Sequence, residues 1–398
     1  MKITKIETYL VGNPWKNWLF ARVLTDEGVS GIGEGTLNYF AKTVEAAIHE
    51  LEHLVLGMNP FQVEIISQRL IRDLTSEGAQ IHMSAVAAIE IACWDIIGKV
   101  CNQPIYNLWG GACHNKLRAY ANGWYRGPRT PESFATKAAA VIQKGYTALK
   151  FDPFGDNWRT LSPFEFGRSL EIICAVREAV GNSVDILIEG HRRFNVSTAV
   201  QIANAMSQYR PTWFEEPLDH SNISCMAELA RRSSVPIATG ESFSNKQQFA
   251  ELLKYDVIDI WQPEPLNLGG LFATRKVADF VDAHYGVIAP HSAQGPICSA
   301  ACVQLAASLP NFFLQEVFDD FNEPWEKCLV DHPVEVVDGY INIPTAPGLG
   351  IELNLAEIKD HPYHPENALP LFKSGWEARR SELPNVSNGL PTPQTSGD

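Results

Sequence analysis

Three short stretches decide the fold of this chain: Val184-Asp185-Ile186-Leu187-Ile188-Glu189-Gly190-His191, Thr212-Trp213-Phe214-Glu215-Glu216-Pro217 and Ile237-Ala238-Thr239-Gly240-Glu241. Each is a brief apolar run that reaches a glutamate. The glutamates recur every 26 residues, with helical stretches between them. Short apolar strands alternating with helices predict parallel strands joined by helical crossovers. Working outward, the same pattern marks strands at 117–122, 148–151, 258–262, 287–290 and 312–315. Eight such units predict a closed (β/α) barrel. An open doubly wound sheet is the rival, but no GxGxxG follows the first strand.

Upstream, 3–11, 18–24 and 29–33 read as strands, the last two joined by the turn Thr25-Asp26-Glu27-Gly28. Helical patterns follow at 43–56, 60–74 and 84–100, the last apolar on nearly every side and so expected to be buried. These elements predict an α+β domain over 1–112 and a barrel over 113–338. A segment over 339–383 carries a strand at 339–343 and the turn Pro347-Gly348-Leu349-Gly350, and is expected to pack back on the first domain. The tail 384–398, rich in Pro, Ser, Asn and Gly, is expected to be disordered.

Of 398 residues, 45% are hydrophobic and 20% charged, enough for a large core. A net charge of −14 with no basic run argues against a nucleic-acid partner. No continuous apolar run reaches the ~18 residues of a membrane span. The opening MKITKIETYLVG alternates apolar and charged residues, so it reads as a strand and not as a signal peptide. The eight cysteines lack CxxC spacing, and most sit in apolar helical surroundings. They read as reduced, buried thiols of a cytoplasmic protein, not as a zinc site.

Barrel enzymes carry their reactive groups at the C-terminal ends of the strands. Glu189, Glu215 and Glu241 stand there on adjacent strands. Three like charges in a partly dry cavity repel, so a cation is expected between them. Carboxylate oxygens with open positions left over suit Mg²⁺. A single glutamate at a strand end more often caps a helix or pairs with a lysine; recurrence on three strands favours the metal. The other strand ends are polar too: Lys150-Phe151-Asp152, Gln262-Pro263-Glu264, Pro290-His291-Ser292 and Gln315-Glu316. Such a ring suits proton abstraction beside a carboxylate, which needs a base at the α-carbon, an acid at a leaving hydroxyl and positive charge for the enediolate. His291 with Glu264 fits a base whose tautomer a carboxylate holds; the alternative is a structural histidine. His191 either faces the same cavity or packs in a loop. His220 reads as a surface residue.

Together these residues resemble the mandelate racemase / muconate lactonizing branch of the enolase superfamily. The resemblance runs over about positions 1 to 360. It rests on the helix Ala88-Ile89-Glu90-Ile91-Ala92-Cys93-Trp94-Asp95-Ile96-Ile97-Gly98-Lys99, on Leu108-Trp109-Gly110-Gly111, on Trp213-Phe214-Glu215-Glu216-Pro217, on Gly240-Glu241 and Gln262-Pro263, and on Pro347-Gly348-Leu349-Gly350. It implies a modified (β/α)₇β barrel under an α+β capping domain, whose loop near 12–18 closes over the substrate. It also implies Mg²⁺ on Glu189, Glu215 and Glu241, a base dyad of His291 and Glu264, and Glu316 hydrogen-bonded to a substrate carboxylate oxygen. Self-association into a homo-oligomer is implied as well.

Three positions depart from the family pattern: Glu189 and Glu264 stand where Asp is usual, and Asp152 stands where many members carry a second lysine base. Lys150 is kept. His191 resembles the general acid of galactonate dehydratase-like members. The resulting expectation is an acid-sugar dehydratase that takes an aldonate or aldarate, a small-molecule partner, to a 2-keto-3-deoxy acid. A racemase, epimerase or cycloisomerase on the same scaffold is the first alternative, and a non-catalytic sugar-acid binding protein the second. Asp152, Trp124, Arg192 and Arg193 are expected to line the pocket, Asp152 at a substrate hydroxyl or one shell behind it.

Overall fold

The computed structural model describes residues 1–74 and 78–376. The expected disordered tail lies outside the described residues. The chain begins with an antiparallel meander, β1 (Ile3–Val11), β2 (Trp18–Thr25) and β3 (Ser30–Glu34), followed by helices α1 (Ala41–Val55), α2 (Val63–Arg72) and α3 (Ala79–Cys101). Helix α1 buries Val44, Ile48, Leu51 and Val55, the apolar stripe of a helix with one face on a sheet. Helix α3 is long and apolar enough to span a membrane, but 83% of that window is buried in the fold. It lies directly on β3. A Cβ at Gly31 or Gly33 would fall 2.1 Å from Ala92 O or 1.9 Å from Ala88 O, so only glycine lets the sheet approach this closely. Glu90 and Asp95 interrupt the apolar run of α3, and both accept backbone N–H groups from neighbouring segments.

The barrel strands are β4 (Lys116–Ala121), β5 (Ala148–Phe151), β6 (Asp185–Glu189), β7 (Trp213–Glu215), β8 (Ile237–Thr239), β9 (Ile260–Trp261), β10 (Val287–Ile288) and β11 (Gln315–Val317). Sequential strands pair in parallel from β4 to β10. Closure comes from β11, which pairs with β4 through Gln315–Ala119, and from the bridge Ile288–Phe312. The lumen is filled by Tyr120, Ala148, Leu187, Trp213, Ala238, Ile260, Ala289 and Leu314. Side chains alternate along a strand, so the inward position two residues later lies one layer nearer the mouth. That layer is Asn122, Lys150, Glu189, Glu215, Gly240, Gln262, His291 and Glu316. An apolar plug thus carries a polar ring.

Two expectations need correction. The strand near 339–343 joins the barrel and not the capping domain. It forms a hairpin of β12 (Val336–Val337) and β13 (Tyr340–Asn342), and β13 pairs with 116–118 of β4. The reason is an open edge: β11 pairs only with 119–121, which leaves the first half of β4 unpaired. The rest of the segment lies against the capping domain: Leu349 N–H donates to Asp95 Oδ1 at 2.9 Å, Lys99 Nζ of α3 lies 2.5 Å from Glu352 Oε1, and His361 O accepts the Gly12 N–H at 2.8 Å. The cysteines are all free thiols, as expected, but only Cys93, Cys298 and Cys302 are buried. Cys101, Cys113 and Cys328 are exposed, at a helix end, in a loop and in a 3₁₀ turn.

Candidate active site

Glu189 and Glu215 are register partners at the ends of β6 and β7. Strand β8 stops two residues earlier than expected, at Thr239. Its inward slot falls on Gly240, whose φ of +125° swings the chain so that Glu241 enters the ring instead. Glu216 pins this loop by accepting the N–H of Gly240 at 3.0 Å and the hydroxyl of Ser242 at 3.2 Å. As a result, Glu189, Glu215 and Glu241 each offer an oxygen within 4.8 Å of the others.

Lys150 reaches into this cluster. Its Nζ lies 3.3 Å from Glu189 and 2.9 Å from Glu316, and it also pairs with Glu215. Burial is the main cause that pushes Glu189 and Glu215 up to about 7; Glu241 adds to it for Glu189, and Glu189 adds to it for Glu215. One ammonium therefore leaves the cluster short of positive charge. A donor set made only of carboxylate oxygens fits a hard divalent cation, and Glu189, Glu215 and Glu241 are the residues placed to hold it.

His291 follows β10 by three residues, with Nδ1 hydrogen-bonded to Glu264 and Nε2 3.2 Å from Glu241 Oε2. Gln294 donates to the other oxygen of Glu264 at 3.0 Å. Burial alone would lower the His291 pKa, but Glu241, Glu316 and Glu264 hold it well above the usual imidazole value. Glu316 accepts from Asn122 Nδ2 at 2.7 Å and from the Ser292 N–H at 2.8 Å. Burial opposes its ionisation, yet Lys150 and His291 outweigh it and bring Glu316 down to about 2.

Beyond β6 the chain makes a tight left-handed turn at His191 (φ +47°) and Arg192 (φ +59°). The turn is held by Arg192 N–H donating to Glu216 O at 2.6 Å and by His191 N–H donating to Glu189 Oε1 at 2.6 Å. His191 Nδ1 sits 2.6 Å from Asp152 Oδ2.

A cavity of about 430 Å³ opens over the ring. Lys150, Glu189, His191, Arg192, Glu241, Glu264 and His291 form its barrel side. Trp15, Lys16 and Asn38 come from the capping domain, and Leu369, Leu371 and Phe372 from the C-terminal segment. Arg192 lines the cavity; Trp124, Arg193 and Glu316 do not, and Asp152 takes the second of the two places expected for it, one shell behind. Asp152 is fully buried between His191 and Arg193, so its oxygens are spent within the protein. Arg193 is fully buried with it. Trp124 is buried against Phe134 and Phe151 in the core outside the barrel lumen, and its indole N–H donates to Lys150 O at 2.8 Å. Glu316 lies below the floor, its oxygens taken by Asn122, Lys150 and Ser292. His220 is half-buried beside Phe243, not on the surface.

Sequence reading missed Asn122, Glu216, Lys16 and the C-terminal wall. Asn122 could have been found, because it takes the same inward position at the barrel mouth as Lys150 and Glu189. The wall had no such signal.

A capped barrel whose mouth gathers three carboxylates, a lysine and two carboxylate-paired histidines is an acid–base enzyme of the enolase type. A family model for the mandelate racemase / muconate lactonizing enzyme N-terminal domain matches residues 15–110, and one described as enolase C-terminal domain-like matches 133–358. The chain belongs to the mandelate racemase / muconate lactonizing enzyme family of the enolase superfamily and is an enzyme. It is 34% identical over 342 residues to a D-gluconate dehydratase of Thermoproteus tenax, covering 85% of this chain and 69% of that protein. It is 32% identical over 357 residues to a D-gluconate/D-galactonate dehydratase of Picrophilus torridus, covering 88% and 91%. The crystal structure of a mandelate racemase/muconate lactonizing enzyme from Jannaschia sp. CCS1 superposes with a TM-score of 0.86 at 32% identity, covering 92% of this chain and 98% of that one.

Proposed function

We propose that this protein is a Mg²⁺-dependent hydro-lyase that converts an aldonate or aldarate to its 2-keto-3-deoxy acid. One observation carries the reading. The cavity over the carboxylate cluster is lined by two histidines, each with Nδ1 held by its own carboxylate. β-Elimination beside a carboxylate needs one base and one acid, and the dehydratase names of the relatives support the same reading.

Glu189, Glu215 and Glu241 would hold Mg²⁺, which when bound supplies Lewis-acid stabilisation to the substrate carboxylate as its α-carbon loses a proton. Lys150 adds a fixed positive charge at the cavity floor, oriented by Glu316 and Glu215. His291 takes the C2 proton on Nε2. Glu264 on Nδ1 fixes the tautomer, and the surrounding carboxylates raise the basicity that abstraction from a weak carbon acid requires. The electron pair of the C2–H bond passes first onto the carboxylate and then into a C2=C3 bond as the C3–O bond breaks. His191 gives a proton from Nε2 to the departing hydroxyl, which leaves as water. The enol then becomes the 2-ketone, losing its hydroxyl proton and gaining one at C3.

A racemase would need a second base facing His291. Asp152 stands in the strand position where a lysine base would serve, and it is tied to Arg193 and His191. The test is incubation with a library of sugar acids and Mg²⁺, read by mass. Loss of one water is expected for some members, and none after His291→Asn. Deuterium uptake at C2 without loss of water from any substrate would refute the dehydratase reading.

A further inference from the structure

We infer that Asp152 is a positioning residue for His191, so that the site contains a second histidine–carboxylate dyad dedicated to the elimination step. The inference rests on the dehydratase reading and deepens it. Asp152 follows β5 directly, two residues beyond Lys150, and His191 follows β6 by two residues. Strands β5 and β6 are parallel neighbours in register, Phe151 opposite Ile188, so the two side chains emerge side by side.

Asp152 has no exposed surface, and each oxygen has a fixed partner on its protein side. Oδ1 accepts the Phe154 N–H at 2.8 Å, and Oδ2 pairs with Arg193. Arg193 is itself locked by donating to Gly155 O at 2.6 Å and to Gly190 O at 3.0 Å. The carboxylate therefore cannot turn to follow a mobile imidazole; the imidazole must come to it. With Nδ1 held 2.6 Å from Oδ2, Nε2 is the only ring nitrogen left for a ligand, and it makes no hydrogen bond among the described residues. His191 lines the cavity, whereas Asp152 does not.

A third contact fixes the ring plane. Trp376 packs edge-to-face on His191, centroids 5.3 Å apart at 90°, and is anchored by its own N–H on Gly155 O at 3.2 Å. Arg193 and Trp376 thus share Gly155 as a common post behind the dyad. The left-handed backbone at His191, a conformation that costs energy for a residue with a Cβ, is sustained by the same network.

Because Asp152 acts on the acid and not on the base, its loss should separate two rates that the wild-type protein couples. The experiment runs the reaction in D₂O with a sugar acid that the wild-type protein dehydrates. It follows deuterium at C2 of recovered substrate together with water loss. Asp152→Asn and His191→Asn should each lower kcat for dehydration by about 100-fold or more, with C2 exchange kept within a few fold and KM little changed. The single variant leaves Arg193 buried without a counter-charge, so Asp152→Ala/Arg193→Met, which removes both charges together, provides a second variant. It should show the same split. Equal loss of exchange and dehydration, or dehydration at the wild-type rate, would overturn the role of Asp152 while leaving the dehydratase reading intact. C2 exchange with no dehydration of any sugar acid by the wild-type protein, seen in the substrate screen that precedes this experiment, would overturn both.

Discussion

The Glu34 carboxylate accepts the backbone N–H of Cys298 at 2.8 Å, so a strand of the capping domain closes the N-terminus of the barrel helix that follows His291. The same carboxylate takes the N–H of Gly295 at 2.7 Å. Glu90 makes the equivalent tie to Leu271 and Phe272, one barrel unit earlier. Two buried acids, each at the start of a helix where the backbone N–H groups lack partners, thus join the two domains.

This arrangement predicts a pH dependence. Burial pushes Glu34 from its ordinary 4.5 up to about 7. Between those values the folded chain binds more protons than the unfolded one, so stability falls as pH rises toward about 7 and is level above it. Glu34→Gln, which cannot ionise, should flatten that decline by up to about 3 kcal/mol between about pH 4.5 and about pH 7. Urea unfolding midpoints of both proteins at the two ends of the range check this. An unchanged slope would refute it.

Lys150 is the only cation in ion-pair contact with the carboxylate cluster among the described residues, apart from His291. Lys150→Met should leave buried carboxylates without a counter-charge. Its melting temperature in chelator should fall by several degrees and recover with Mg²⁺ more than that of the wild-type protein does. Dehydration should fall at least about 100-fold even with Mg²⁺. Calorimetry with and without Mg²⁺, beside a turnover assay, reads both effects.

The C-terminal segment is the part of the site furthest from any family signature, since the family matches end at 358. Asn17 of the capping loop donates to His364 O at 2.7 Å and to Asn367 O at 2.9 Å, and Asn38 donates to Leu369 O at 3.2 Å. Ending the chain after Pro362 should remove Leu369, Leu371 and Phe372 from the cavity wall. KM should rise about 10-fold or more and kcat should fall as water enters, while Mg²⁺ binding persists. Loss of Mg²⁺ binding in that variant would mean the segment supports the barrel itself.

The ring of reactive groups was legible because a parallel barrel ties chemistry to position. Reading the residues around each strand end found Lys150, Glu189, Glu215, His291 and Glu316, and the inward alternation above the Tyr120–Leu314 plug explains why. What failed depended on partners distant in sequence. The attachment of β13 to β4 follows from which edge β11 leaves open, and no local pattern records that. Asp152 reads from sequence either as a partner of a substrate hydroxyl or as a residue one shell behind it, because nothing nearby in sequence marks its pairing with Arg193, which follows the neighbouring strand β6 and meets it only when the two strands pair. The C-terminal wall has no periodicity, and its position is set by asparagines of the capping loops.

The most direct measurement is a calorimetric titration of the metal-free protein with Mg²⁺, paired with the same titration of Glu215→Gln. Heat of binding at a single site per chain is expected for the native protein, with sugar-acid dehydration that appears as the site fills. The variant should lose both. Full dehydration by the chelated native protein, or unaltered binding after Glu215→Gln, would show that these three carboxylates do not hold the ion on which the chemistry depends.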